Sequence, residues 1–312
     1  DYSTGSEAFL LEPQSTNLVT YSELFSNAAW NKNSVTLESG YLAPDGTNTA
    51  FKVDGNNSFI LSTVVTGLVA TSTRSIYART VSGTGTSQLL THNSNTDNIF
   101  TITEQWQRFE VSTANSSFPD YFYAVDFRGS GTLSEIILWG ANATNDQNYA
   151  TSYIPTSGAS ATRNQELCNN ATPVINSEEG TLYAEISALA NDLTNRAICI
   201  TKDGTLDNII VIQYNSVSQN IRFLYRQGAV SVADLGFNVN DIKNNHKIAA
   251  TWKQNEFKLF IDGIKVDEQL FGNIAPLNTF VNLDFKRPDG QNFYGNTKGL
   301  KVYPKALADV QL

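Results

Sequence analysis

The sequence predicts an all-β chain of two tandem antiparallel β-sandwiches, on three observations: its length, a period-two alternation of apolar residues, and turn signals that recur throughout. At 312 residues the chain exceeds what one sandwich of ordinary size needs, so two cores are expected. Sustained helical periodicity is nearly absent, whereas alternation is common; Phe257, Leu259 and Ile261 fall on one side of a strand, Lys258 and Phe260 on the other. Turns are marked by Asp-Gly pairs at Asp45-Gly46, Asp54-Gly55, Asp203-Gly204, Asp262-Gly263 and Asp289-Gly290, where glycine supplies the positive φ that tight turns need.

Hydrophobic residues make up 41% of the chain and charged residues 16%, an ordered and turn-rich composition that excludes intrinsic disorder. The net charge of −9 is unevenly spread: residues 1–163 hold 14 acidic and 7 basic side chains, residues 164–312 hold 16 and 14. Such a surface repels a phosphate backbone, and no Lys/Arg cluster reverses the field, so neither nucleic acid nor an anionic membrane is an expected partner. No stretch approaches the roughly 20 apolar residues of a membrane span, so no membrane insertion is expected. The chain contains no Met and begins Asp1-Tyr2-Ser3, which reads as a mature product or a fragment.

Domain boundaries follow from composition. A stretch rich in Pro, Ser, Thr, Asn and Ala lies between Tyr153 and Ser177, giving a first sandwich over 1–163, a linker over 164–176 and a second sandwich over 177–312. The clearest local unit runs from His246 to Glu268: three antiparallel strands, with a polar Lys-Gln-Asn turn and then a two-residue hairpin turn at Asp262-Gly263. Helical candidates are confined to a turn or two around Glu23 to Trp30 and to Ala306–Leu312. The two cysteines, Cys168 in the linker and Cys199 in an apolar run, are too few for a disulfide framework; one bridge or two idle thiols are both open.

Several segments carry a resemblance. Leu10-Leu11-Glu12-Pro13-Gln14-Ser15-Thr16-Asn17-Leu18, then Tyr21-Ser22-Glu23 and Phe25-Ser26-Asn27-Ala28-Ala29-Trp30, resemble the opening of a module common in bacteriophage tail and other virion proteins. Ala43-Pro44-Asp45-Gly46-Thr47, Trp106-Gln107-Arg108-Phe109, Trp139-Gly140-Ala141, the run from Ala150 to Gly158 and Ala161-Thr162-Arg163 match that module in order. The resemblance implies a jelly-roll similar to carbohydrate-binding modules, taken from a longer tail fibre, spike or similar appendage. From about Glu179 the text resembles a laminin-G-like, concanavalin-type sandwich: Gly180–Glu185 as its first strand, His246–Trp252 and Phe260–Gly263 as its central hairpin, Gly299–Leu307 as its close. Those are fold signatures shared by lectins, adhesion domains and enzymes, and say little of ligand.

Catalytic machinery is not expected. Concanavalin-type glycosidases often carry paired carboxylates as Glu-x-Asp-x-x-Glu on one strand, and no such spacing occurs; Glu178-Glu179 and Asp267-Glu268 read as solvated surface. His246 begins a strand and reads as structural, and nothing pairs His92 with a nucleophile. There is no Gly-x-Ser-x-Gly elbow and no zinc-type Cys/His spacing. No cofactor is required; the resemblance implies a structural Ca²⁺, for which Glu12, Asp45 and Asp126 are the candidates in the first domain.

Sugar recognition uses aromatic faces with Asn, Asp, Gln and Arg reading hydroxyls. Trp106, Trp139 and Trp252 lie in signature strands and read as core, with Trp30 more open. The ligand-binding candidates are aromatics in polar settings: Tyr41, Tyr121 and Tyr123 (which alternation puts on one face of the Phe118–Tyr123 cluster), Arg128 as a hydrogen-bonding fork, and Phe293 with Tyr294. The expected function is thus a non-enzymatic virion component, at the virion surface, contributing to attachment to host-surface polysaccharide or to fibre architecture. Its expected partners are that glycan and other virion proteins, with a homotrimer implied by the resemblance alone. The alternatives are a carbohydrate-binding region of a secreted bacterial enzyme or cell-surface protein, and a depolymerase.

Overall fold

The structure, a computed structural model, describes residues 8–55, 60–69, 71–91, 98–112, 120–128, 130–169 and 171–312. Every strand pairing among them is antiparallel, and none of them forms an α-helix. The fold class read from alternation and turns is therefore correct. Of the two helical candidates, the first is a series of turns and the second ends in one 3-10 turn, Asp309–Gln311.

The first strand among the described residues is β1 (Phe9–Leu11). The chain then builds one compact unit over Gln14–Asn164. The strands of that unit are β2 (Ser15–Asn17), β3 (Trp30–Asn33), β4 (Thr36–Tyr41), β5 (Ala50–Asp54), β6 (Ile60–Val64) and β7 (Thr73–Arg79). They continue with β8 (Gly85–Gln88), β9 (Ile99–Ile102), β10 (Gln107–Ser112), β11 (Tyr121–Asp126), β12 (Glu135–Thr144) and β13 (Ala161–Arg163). One sheet has the order β10-β7-β12-β5-β4, the other β3-β6-β11-β8-β9, and β2 pairs with β13 apart from both. Phe51, Val53, Ile76 and Leu138 of the first sheet share a core with Trp30, Leu61, Phe122 and Val125 of the second. Alternation along each strand supplies that face. Trp30, expected to be the more open tryptophan, is fully inside, where it meets Phe25 and Phe122 edge-on.

The other unit comprises Asp1–Pro13 with Gln165–Leu312. Its strands are β14 (Glu179–Ala188), β15 (Arg196–Thr201), β16 (Ile209–Tyr214), β17 (Asn220–Gln227) and β18 (Val230–Asn238). After them come β19 (His246–Lys253), β20 (Glu256–Ile261), β21 (Ile264–Gln269), β22 (Asn282–Asp284) and β23 (Gly295–Tyr303). Two sheets, β1-β23-β14-β19-β20-β21 and β18-β17-β16-β15-β22, enclose Leu182, Ile248, Trp252 and Phe257 from one side and Ile198, Ile210, Phe223 and Tyr225 from the other. The β19–β20–β21 meander matches its expected course. Asp262 and Gly263 both take positive φ, 52° and 82°, as a primed two-residue turn requires.

Two features depart from the division read off composition. The segment before Pro13 belongs to the C-terminal unit: β1 pairs with the end of the chain, Phe9 opposite Thr297, and Leu11 is buried in that core. An apolar Leu beside an open strand edge gains both burial and a ladder, which composition alone does not reveal. The stretch expected as a linker is also laid down in this unit. Ala171 and Leu283 exchange backbone hydrogen bonds of 3.1 and 2.7 Å, and the Phe285 N–H donates to the Cys168 carbonyl at 3.1 Å.

Candidate functional site

The N-terminal sandwich holds a cleft of about 470 Å³ beside the edge strand β4. Leu37 and Phe51, from β4 and β5, form its apolar floor with Leu24. Ser26, Ser39, Asn48, Thr49, Thr156 and Ser157 make the rest of its lining polar and neutral, and Glu23 adds a carboxylate. The lining comes from four separated stretches: the turns after Tyr21, strand β4, the Asp45 loop with β5, and the segment that closes the unit. A mouth of hydroxyls and amide over a small apolar floor can hydrogen-bond a polyol while covering its apolar face.

A hydrogen-bond lattice fixes this geometry. The Tyr153 hydroxyl meets Ser22 Oγ at 2.6 Å and donates to Glu23 Oε1 at 2.9 Å. Burial, the largest influence, pushes the Tyr153 phenol well up and keeps it protonated, as a donor to Glu23 must be. Ser22 and Thr156 clasp each other, the Ser22 N–H donating to Thr156 Oγ1 at 3.0 Å and the Thr156 N–H to Ser22 Oγ at 2.8 Å. Deeper in, Asn17 is saturated: its Nδ2 donates to the Ala141 and Ile154 carbonyls, and its Oδ1 accepts from the Val19 and Ala143 N–H groups. A buried amide with all four bonds made holds three distant stretches in one register.

Behind the cleft lies an aromatic cluster on the outer face of the β10-β7-β12-β5-β4 sheet. Trp139, 4% exposed, packs against Tyr153 at 4.6 Å and Tyr77 at 5.4 Å between ring centroids, and its Nε1 donates to Thr49 Oγ1 at 2.9 Å. Arg108 lies over Tyr77 at 5.5 Å and Arg79 over half-buried Trp106 at 5.3 Å. Trp139 is interior as expected, but to this second cluster and not to the space between the sheets.

The residues singled out in the sequence fare unevenly. Tyr41 sits at the margin of the aromatic cluster, its hydroxyl donating to Glu38 Oε2 at 3.0 Å. Tyr121 and Tyr123 do stack on one face, 5.8 Å apart and 21° from parallel, yet Tyr123 is only 5% exposed. That leaves little ring for a ligand. Arg128 is not a free fork: its Nε and Nη2 each reach Asp126 at 2.9 Å. Phe293 is core, 1% exposed between Tyr214 and Phe285, because a strand that enters a sandwich must point every second residue inward. Tyr294 is partly buried against the margin of the same core, and its hydroxyl donates to Gln165 Oε1 at 2.7 Å.

The three calcium candidates have other partners. Asp45 Oδ1 closes its own turn by accepting from the Thr47 N–H and hydroxyl, and Asp126 holds Arg128. Glu12 belongs to the C-terminal unit, 3% exposed, with its N–H bonded to Glu166. Among the described residues no three His, Cys, Asp or Glu are grouped to hold a metal. His92, Phe118 and Pro119 lie outside the described residues. His246 is structural in its geometry, with Nδ1 2.7 Å from Asp262 Oδ2 and Nε2 3.1 Å from the Asp241 carbonyl oxygen. Both cysteines are free thiols.

The cleft residues Glu23, Asn48, Thr49, Thr156 and Ser157 were not anticipated as a site. Their signal is in the sequence nonetheless, since they lie in or beside the motifs that carry the module resemblance and were read there as punctuation.

No family model matches the chain, and no curated protein matches it. Among solved structures it is similar to a heptameric SAP-like pentraxin of Limulus polyphemus, with 11% identity over 46% of this chain and 71% of that one, at a TM-score of 0.37. It is also similar to the CBM40 of a Ruminococcus gnavus IT-sialidase bound to alpha2,3 sialyllactose: 13% identity, 47% and 96% coverage, TM-score 0.37. A third is the carbohydrate-binding module CBM66 from Bacillus subtilis, with 10% identity, 42% and 79% coverage and a TM-score of 0.31. At such scores the likeness is one of stacked sheets and carries no argument about ligand. No helix among the described residues is long and apolar enough to cross a membrane.

Proposed function

We propose that this chain is a non-enzymatic glycan-binding component of a phage virion appendage, exposed at the virion surface and contributing to attachment to host polysaccharide. The observation that carries the reading is the cleft beside β4, where hydroxyl and amide side chains from four stretches surround a small apolar floor. The virion assignment is supported by the ordered motifs between Leu10 and Arg163, many of which the fold draws into the lattice around Tyr153 and Asn17. Association into homotrimers is part of the same proposal, and mass measurement of the full chain in solution tests it.

The binding test is a glycan array probed with the full chain and with Ser39→Trp. Ser39 is exposed on β4 and lines the cleft, so an indole there fills the space without entering the core. The expected outcome is retention of host-surface glycans by the native chain and loss of that retention in the variant, with unchanged thermal unfolding. Binding that survives Ser39→Trp removes the cleft from the proposal. Sustained release of oligosaccharide from host capsule removes the non-enzymatic reading, and virions whose mass spectra lack the parent protein remove the virion assignment.

A further inference from the structure

The cleft has a one-sided charge. Glu23 is the one ionisable side chain among the described residues that line it. Its Oε1 accepts from Tyr153, its Oε2 has no hydrogen-bond partner among the described residues, and no Lys or Arg among them pairs with it. The wider field has the same sign, since the unit of Gln14–Asn164 carries 11 acidic and 7 basic side chains. Around this carboxylate the remaining polar groups, such as Ser26, Ser39 and Asn48, are neutral and suit sugar hydroxyls.

We propose that the cleft selects amine-bearing hexosamines and rejects sugars that carry carboxylate or sulfate. This rests on the glycan-binding reading above and adds the class of sugar. A protonated amine reaching Glu23 Oε2 makes a charge-assisted hydrogen bond, roughly twice as strong as a neutral one. A uronate, sialate or sulfate in that place meets an unneutralised like charge with no cation in the lining to offset it, which discriminates by repulsion as well as by attraction.

The test is calorimetric titration of the full chain with four trisaccharides, at a pH where the amine is protonated: glucosamine, N-acetylglucosamine, glucose and galacturonic acid oligomers. The glucosamine oligomer is expected to bind about tenfold more tightly than its acetylated counterpart, and the galacturonate not at all. Glu23→Gln, which keeps an acceptor for Tyr153, is expected to erase that preference, bringing the free-amine and acetylated sugars to within about twofold of each other. Glu110→Gln removes an exposed acid elsewhere in the same unit and is expected to change nothing. If Glu23→Gln does not fold, Ser39→Trp decides, since filling the cleft is expected to abolish the glucosamine preference and an attraction to the whole surface would survive it.

Equal binding of galacturonate and glucosamine oligomers overturns the proposal. So does a glucosamine preference that persists in Glu23→Gln, because the attraction then belongs to the whole surface. Binding of acetylated and free-amine sugars alike overturns it while the glycan reading stands. Silence from all four overturns this inference, while the glycan reading stands or falls on the array.

Discussion

Trp139 and Thr49 are joined by a 2.9 Å hydrogen bond from the indole Nε1 to the threonine hydroxyl, which ties the aromatic cluster behind the sheet to the lip of the cleft. Thr49→Val keeps the shape of that side chain and removes the acceptor. A largely buried indole N–H left unpaired costs about 1–2 kcal/mol, so the denaturant midpoint falls without a change in slope. Glycan titration of the same variant is expected to show weaker binding, because the lip loses its anchor.

Gly180 faces Trp252 across the β14–β19 ladder, and a Cβ placed on it would collide with the Trp252 indole. The indole is fully buried and cannot swing away. Gly180→Ala is therefore expected to destabilise the fold by about 1–3 kcal/mol through overpacking. Calorimetric unfolding checks this, and Gly180→Ala in a Trp252→Leu background is expected to cost less than the sum of the two, as neighbours in contact do.

Asp192 and Arg196 form a bidentate pair, with Nη1–Oδ1 at 2.7 Å and Nη2–Oδ2 at 2.6 Å. Burial pushes the Asp192 carboxyl up, but hydrogen bonds and charge from Arg196 outweigh it and hold the group below its ordinary 3.8. The pair's contribution is complete above 3.8 and is lost as pH falls through that value and the lower folded one. Unfolding midpoints measured from neutral pH downward are expected to drop in that window. Asp192→Asn removes this part of the acid dependence and, by stranding a nearly buried guanidinium, destabilises at neutral pH by on the order of 2–3 kcal/mol.

Cys199 is buried in β15 and its thiol donates to the Lys286 carbonyl at 2.9 Å. Burial, reinforced by Asp284, pushes that thiol above the ordinary range, so the reactive thiolate is suppressed. Thiol-reagent titration of the native chain is expected to modify Cys168 alone, and both thiols after denaturation. Two fast-reacting thiols in the native state refute this, as does an absence of free thiol after denaturation.

What the sequence disclosed follows what each signal depends on. Alternation and turn chemistry are local, so the meander from His246 to Gln269 was legible down to its Asp262-Gly263 turn. Phe293 and Tyr294 show where that stops: loop-like neighbours such as Asn292 and Gly295 suggested exposure, but burial is decided by what lies opposite, here Tyr214 and Phe285. Arg128 and Asp126 are close in sequence, yet the candidate roles treated them separately and missed that they satisfy each other. The cleft was hidden for another reason. Ser, Thr and Asn in turn-rich text look like punctuation until Asn17 and Tyr153 draw the pieces together.

The pairing of β1 with β23 also bears on how the molecule is made. During synthesis Phe9–Leu11 leaves the ribosome before β2 to β22 and must wait for all of them before its partner, β23, exists. The sandwich of Gln14–Asn164 can close in the interval, as a complete insertion between the first strand of its neighbour and the rest. The sandwich that β1 and β23 share depends on a pairing of strands far apart in sequence, which makes its completion the slow, last event of folding. Removing β1 or β23 should thus impair one and the same sandwich, leaving the earlier-formed one whole.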